Sequence, residues 1–229
     1  MIKLFKIHLV YFFSKKNIIL LIVCLLLALI ISVVVVVDNN NMSMSIKDSN
    51  QHSWNELYSF FKIIVISLSC FLMNSFSISI NDNYKVLFII NLKKPRLYYL
   101  SKIVTVYLVQ LFIVLMLLII FLSISIICNN SFSMEINYIK GFWLLYSLSV
   151  VYGSITLLIS KIFDNTMSII VPILLYFISE LFELNSVFVS TFFPNFLMLD
   201  VQNAFLISSL HSIFLVVFYT VFYFLMVKK

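Results

Sequence analysis

Residues 18–37 read IILLIVCLLLALIISVVVVV, an uninterrupted run from Ile18 to Val37 with no charge in it. At 1.5 Å of rise per residue a helix over this run is about 30 Å long, the thickness of a bilayer's hydrocarbon core. Lys3, Lys6, Lys15 and Lys16 precede it and Asp38 follows. The junction of the valines with Asp38 has no small-residue cleavage pattern, so the run reads as a retained membrane helix rather than a signal peptide.

Outward from it the pattern repeats. The apolar segments 58–80, 103–128, 141–160, 165–182 and 204–227 are each close to membrane length; Pro172 interrupts the fifth and His211 the sixth. Strands of a membrane barrel would alternate in polarity about every second residue, and these runs do not. With 63% hydrophobic and 10% charged residues, a soluble globular domain is excluded. The expected fold class is therefore all-α: one polytopic transmembrane domain over 1–229 with six transmembrane helices.

The basic residues orient it. With both termini cytoplasmic, every Lys and Arg lies on the inner side except Lys47, Lys62 and Lys140, as the positive-inside rule requires. Five or seven spans would place Lys228 and Lys229 outside. The net charge of +6 is thus explained by the cell membrane and its lipid bilayer, and nothing is left to argue for nucleic acid.

Residues 2–14 carry Lys3, Lys6 and His8 among apolar and aromatic side chains. Two readings fit them: an N-terminal helix lying in the inner interface, or the first turns of a tilted span. The outer loop from Asp38 to about Asn55 is polar and short, with Trp54 and Tyr58 placed as interfacial anchors and Lys62 placed to snorkel outward. Residues 184–200, apolar but containing Asn185, Pro194 and Asn195, read as a re-entrant hydrophobic segment before the last span, or as a seventh span that the charges oppose.

Cys24, Cys70 and Cys128 sit in or beside apolar runs and show no disulfide framework or metal-ligand spacing. Glu180 and Glu183, three apart, share a helical face at the outer end of the fifth span, where they either cap it in water or meet cargo at the exit. His211 reads as hydrogen-bonded within the bundle. The serines of the second span (Ser67, Ser69, Ser75, Ser77 and Ser79) permit close helix contact where glycine is lacking.

The inner segment 81–102 is the longest and most basic. Tyr84, Leu87, Phe88 and Asn91 recur at helical spacing, giving a short amphipathic helix, and Pro95 breaks it before the next span. Here the chain resembles the membrane (permease) subunit of type-2 ATP-binding-cassette (ABC) exporters. In that family spans two and three are joined by an acidic residue, a short helix, a leucine, a proline, an arginine and a lysine. Asp82, Leu92, Pro95, Arg96 and Lys102 fall near those places, and an interfacial amino-terminal helix, six spans and the Phe193-Pro194-Asn195 segment match the family layout. The chain departs from it at Tyr84-Lys85, where the family often has Gly-Thr, and at Lys93, where proline often follows the leucine directly.

The resemblance implies an ABC ATPase partner onto which Asp82, Tyr84, Lys85, Leu87, Phe88, Lys93 and Arg96 dock. The same lysines also satisfy the positive-inside rule without a partner. It further implies a second permease copy or a related permease, and ATP and Mg bound by the ATPase rather than by this chain. The only glycines, Gly141 and Gly153, form no phosphate loop, and neither a Gly-x-Ser-x-Gly nor a His-Glu-x-x-His pattern is present. No cofactor and no enzymatic activity are expected of this chain. The expected function is export of an amphipathic or hydrophobic cargo, an antimicrobial or cytolytic peptide among the candidates. The alternative is a non-transporting membrane scaffold or immunity protein that acts by helix packing.

Overall fold

A backbone amide in hydrocarbon has no water to bond, so each apolar run closes its hydrogen bonds within itself. The computed structural model describes residues 2–40, 46–79, 95–129, 136–163, 165–181 and 202–227. Among these every element is a helix: α1 (Ile2–Phe12), α2 (Lys15–Asn40), α3 (Ile46–Ser79), α4 (Pro95–Asn129), α5 (Ile136–Ile159), α6 (Asn165–Leu181) and α7 (Gln202–Val227). Five of them, α2, α3, α4, α5 and α7, are long and apolar enough to cross a membrane; α6 is a shorter apolar helix that contains Pro172. The chain is a polytopic helical membrane protein.

Of the two readings for residues 2–14, the structure has a separate helix. Phe13 and Ser14 interrupt the run, Ser14 stands at the N-cap position of α2, and the Asn17 amide donates to the Phe12 carbonyl at 2.7 Å, closing the end of α1. Pro95 opens α4, in the first turn, where N–H groups have no partner within the helix and a missing one costs nothing.

The contacts between helices set their directions. Asn17 of α2 meets Ser75 of α3, and at the far end Asn39 donates to Ser53 at 3.1 Å and to Glu56 at 3.0 Å. Trp54 lies against Phe121 of α4 and Tyr138 of α5 at 5.0 and 5.5 Å between ring centroids. Ser168 of α6 bonds Asn74, while Glu180 reaches Lys62. Trp143 near the start of α5 bonds Ser209 near the start of α7, and Tyr107 of α4 bonds Thr220. Helices α2 to α7 therefore alternate in direction between a Phe12 end and a Trp54 end.

Hydropathy and burial run opposite to a soluble core. The apolar stretch of α2 has a mean hydropathy of 3.6 and only 11% of it is buried; that of α5 has 1.8 and is 83% buried. Lipid accepts Leu and Ile as readily as another helix does, so the helices that pack inside are those with small or polar side chains to exchange. On α2 the buried residues are Asn17, Ala28, Ser32, Val36 and Asn39, a narrow stripe turned toward α3 and α4.

Two expectations are corrected at the Trp54 end. Within the polar stretch 38–55 the described residues 38–40 and 46–55 are helical, and their side chains bond to one another: besides Asn39, Ser49 donates to Asn40 at 3.0 Å and Ser53 to the Ser49 carbonyl at 2.8 Å. Trp54 and Tyr58 are not surface anchors. They are 0% and 2% exposed, with the Trp54 indole among Tyr58, Phe61, Phe121, Tyr138 and Phe142.

The reason is Gly141, where a Cβ would lie 2.5 Å from Trp54 Cζ2. Gly153, also on α5, makes the same room for the Gln110 carboxamide and Met73. Gly141→Ala is expected to cost about 1–3 kcal/mol by overpacking. Combining it with Trp54→Phe should cost less than the sum of the two single changes, measured as thermal unfolding of the full chain in detergent. Simple additivity would show that the two residues do not touch.

Candidate functional site

Of the residues implied in ATPase docking, Asp82, Tyr84, Lys85, Leu87, Phe88 and Lys93 lie outside the described residues. Arg96 is the second residue of α4. The described structure shows what that segment is attached to. Ser79 of α3 precedes it and Pro95 of α4 follows it, and α1 packs on both of these helices.

At this end His8 of α1 is 1% exposed, its ring edge-on to Tyr98 of α4 at 5.0 Å, and Lys102, four residues beyond Tyr98, is itself 4% exposed. Burial lowers the His8 pKa to about 4; the Lys102 charge lowers it further, and a hydrogen bond with the Tyr98 backbone acts in the opposite direction. His8 is neutral in the folded protein at pH 7. Asn17 bonds both the Phe12 carbonyl and Ser75, so α1, α2 and α3 meet at one side chain. These contacts seat α1 against α3 and the base of α4.

A second group of polar side chains lies deeper. Lys62 does not snorkel to the surface: it is 2% exposed, with Nζ 3.4 Å from Glu180 Oε1 and 5.9 Å from the Tyr58 ring centroid. On α3 it immediately precedes the uncharged run that begins at Ile63 and follows Glu56 by six residues. Glu180, in the last turn of α6, is level with Lys62. Its own side chain is 39% exposed. Glu183 and the segment 184–200 lie outside the described residues.

Other polar groups bond across the bundle. Ser69 and Ser149 share a hydrogen bond of 2.8 Å, and Gln110 Nε2 donates to the Ser149 carbonyl at 2.8 Å. Tyr152 and Ser179 hydroxyls are 3.4 Å apart, and Tyr107 and Thr220 hydroxyls 2.8 Å apart. Of the serines expected to pack in span two, Ser69 and Ser75 do so through these bonds; His211 is half-buried on α7, and the three cysteines are unbridged. Gln110 and Tyr107 escaped sequence reasoning, although Gln110 is the one carboxamide in the apolar run 103–128, which was the available signal.

Between α4, α5 and α7 lies an open groove of about 180 Å³ lined by Tyr107, Trp143, Tyr146, Val150, Ile213 and Val217, among others. The serines along it are spent on their own helices, Ser147 on the Trp143 carbonyl at 2.9 Å and Ser212 on that of Ser208 at 2.6 Å. A bound water needs two to four polar partners, so this groove suits hydrocarbon. Among the described residues no group of His, Cys, Asp or Glu is placed to hold a metal ion.

Comparison with family models, with curated proteins and with solved structures gives no match.

The buried His8 makes a pH prediction. Its pKa is lower in the folded chain than the ordinary 6.5, so the unfolded chain takes up the proton first as pH falls. The stability His8 contributes is fully present above about pH 6.5 and is lost as pH drops toward 4. Thermal unfolding of wild type and His8→Gln across pH 7.5 to 4.5 checks this: wild type should lose stability over that window more steeply than the variant. Equal slopes contradict it.

Proposed function

We propose that this chain is the permease subunit of a type-2 ABC exporter. It crosses the cell membrane six times with both ends cytoplasmic and works as a dimer with a second copy or a related permease. A separate ATPase that binds ATP and Mg drives it. The observation that carries the proposal is the seat at the Phe12 end. The segment 81–94 is bounded by two helices that are already joined to each other and to α1, so a force applied to it reaches α1, α3 and α4 together. A segment that served only to satisfy charge topology needs no such foundation.

The six-span count is supported by the register of α6. Its contacts run from Asn74 to Lys62 of α3, 12 residues or about 18 Å, so α6 lies along α3 through the bundle rather than across its end. The Phe12 end is the cytoplasmic one, where the Lys and Arg residues concentrate. Docking at 84–92 buries Tyr84 and Phe88 in the ATPase while Lys85, Lys93 and Arg96 meet its acids. The dry groove between α4, α5 and α7 fits an amphipathic or hydrophobic cargo, such as an antimicrobial or cytolytic peptide.

The test uses affinity-tagged full chain extracted from its own membrane in mild detergent. Tyr84→Ala combined with Phe88→Ala should lower the ATP hydrolysis recovered with the chain at least tenfold, with yield and melting temperature unchanged. Undiminished hydrolysis with the variant removes docking at this helix. No hydrolysis with wild type favours the scaffold or immunity protein instead.

A further inference from the structure

The Lys62–Glu180 pair is costly where it stands. A buried ion pair adds little stability over apolar residues of the same volume. Its two halves are also unequally placed: the ammonium is 2% exposed and the carboxylate 39%. Lys62 thus approaches Glu180 from inside the bundle, and the carboxylate keeps an open side toward the exterior of α6.

That open side has a definite character. Phe177, three residues before Glu180 and so on the same helical face, is 42% exposed, and the adjoining Leu181 is 81% exposed. Behind the pair the walls are aromatic. Tyr58, four residues before Lys62, offers its ring to the ammonium at 5.9 Å. Tyr176, four residues before Glu180, is buried edge-on against Tyr152 at 5.8 Å, and the Tyr152 hydroxyl is held by Ser179. Aromatic faces combined with one carboxylate are the surroundings that suit an alkylammonium group.

From this geometry we infer that Glu180 and Tyr58 form a site for a primary ammonium group carried on an apolar body, which in the protein itself is filled by Lys62. An incoming ammonium reaches Glu180 from its open side, with Phe177 and Leu181 against its apolar part, and competes with Lys62 for the carboxylate. Occupancy releases Lys62 and removes one of the bonds between α6 and α3. That the ammonium belongs to an exported cargo rests on the exporter reading above; the site itself rests on the side chains alone.

Chemical rescue tests it. The Lys62 side chain is a tethered butylammonium, so in the full-length Lys62→Ala protein in lipid nanodiscs n-butylammonium should fill the vacated place. At ten times its Kd it is expected to raise the melting temperature by about 3–6 °C. The isosteric n-butanol should give no comparable rise, Glu180→Gln in the Lys62→Ala background should abolish the amine's effect, and wild type should bind the amine at least tenfold more weakly. Lys62→Met, which keeps the volume, replaces Lys62→Ala if that variant does not fold, with Kd from calorimetry as the readout.

A further pair of probes, n-octylamine and a short amphipathic Lys-Leu peptide, separates a lipid-like amine from a peptide source; response to either supports the site. An equal response to butanol, or an amine response that survives Glu180→Gln, shows an apolar hole only and overturns the inference. Failure here leaves ATPase association untouched, and absence of an ATPase leaves the ammonium site standing.

Discussion

A hydroxyl, carboxamide or ammonium carried to membrane depth meets no water, so it must bond to its own helix or to a neighbour. In this chain that requirement decides which helices touch. Several serines and threonines take the first course: Ser32, Thr105, Ser154 and Thr156 each donate to the carbonyl four residues back. The groups that cannot reach their own backbone take the second. Gln110 bonds α5, Asn74 bonds α6, Asn17 bonds α3, and Lys62 turns inward to Glu180. The most apolar helix, α2, has few such groups and is left mostly to lipid.

Close approach is the second constraint, and α5 supplies it. Both glycines of the chain are on this helix, one under the Trp54 indole and one beside the Gln110 carboxamide. The first lets α3 and α5 share an aromatic cluster at the Trp54 end; the second lets α4 bond α5 near mid-depth. Together they hold α3 and α5 as the pair around which α2, α4, α6 and α7 are arranged.

Helix existence was legible because run length and polarity are local properties. The apolar runs beginning near residues 18, 58, 103, 141, 165 and 204 each became a helix, and the amino-terminal helix is distinct from α2, its end closed by the Asn17 amide. Partnership was not legible. Trp54 looks interfacial beside Asn50, Gln51 and His52 until Gly141, far along the chain, opens a place for it. Lys62 looks free to snorkel until Glu180, 118 residues away, is known to lie within 3.4 Å. The stretch 38–55 looks like a loop because its polar side chains are counted as solvated, whereas Asn39, Ser49 and Ser53 are spent on one another. For the candidate sites, Glu180 was visible as a charge in an apolar run, and its partner was not. The docking residues other than Arg96 lie outside the described structure, so their reading stands on sequence and on the seat that flanks them.

The seat and the charge pair lie at different depths of the same two-helix frame. α3 carries Ser75 and Asn74 near the Phe12 end and Lys62 at its centre, so displacement at its base is displacement at the pair. In the exporter reading this is how a cytoplasmic ATPase acts on a site within the membrane. The composition of the native assembly tests that reading most directly, by mass spectrometry of the intact complex extracted from its own membrane in mild detergent. The account predicts two membrane chains together with ATPase chains that carry the G-x-x-x-x-G-K-[ST] loop this sequence lacks. An assembly containing this chain and no ATPase contradicts it.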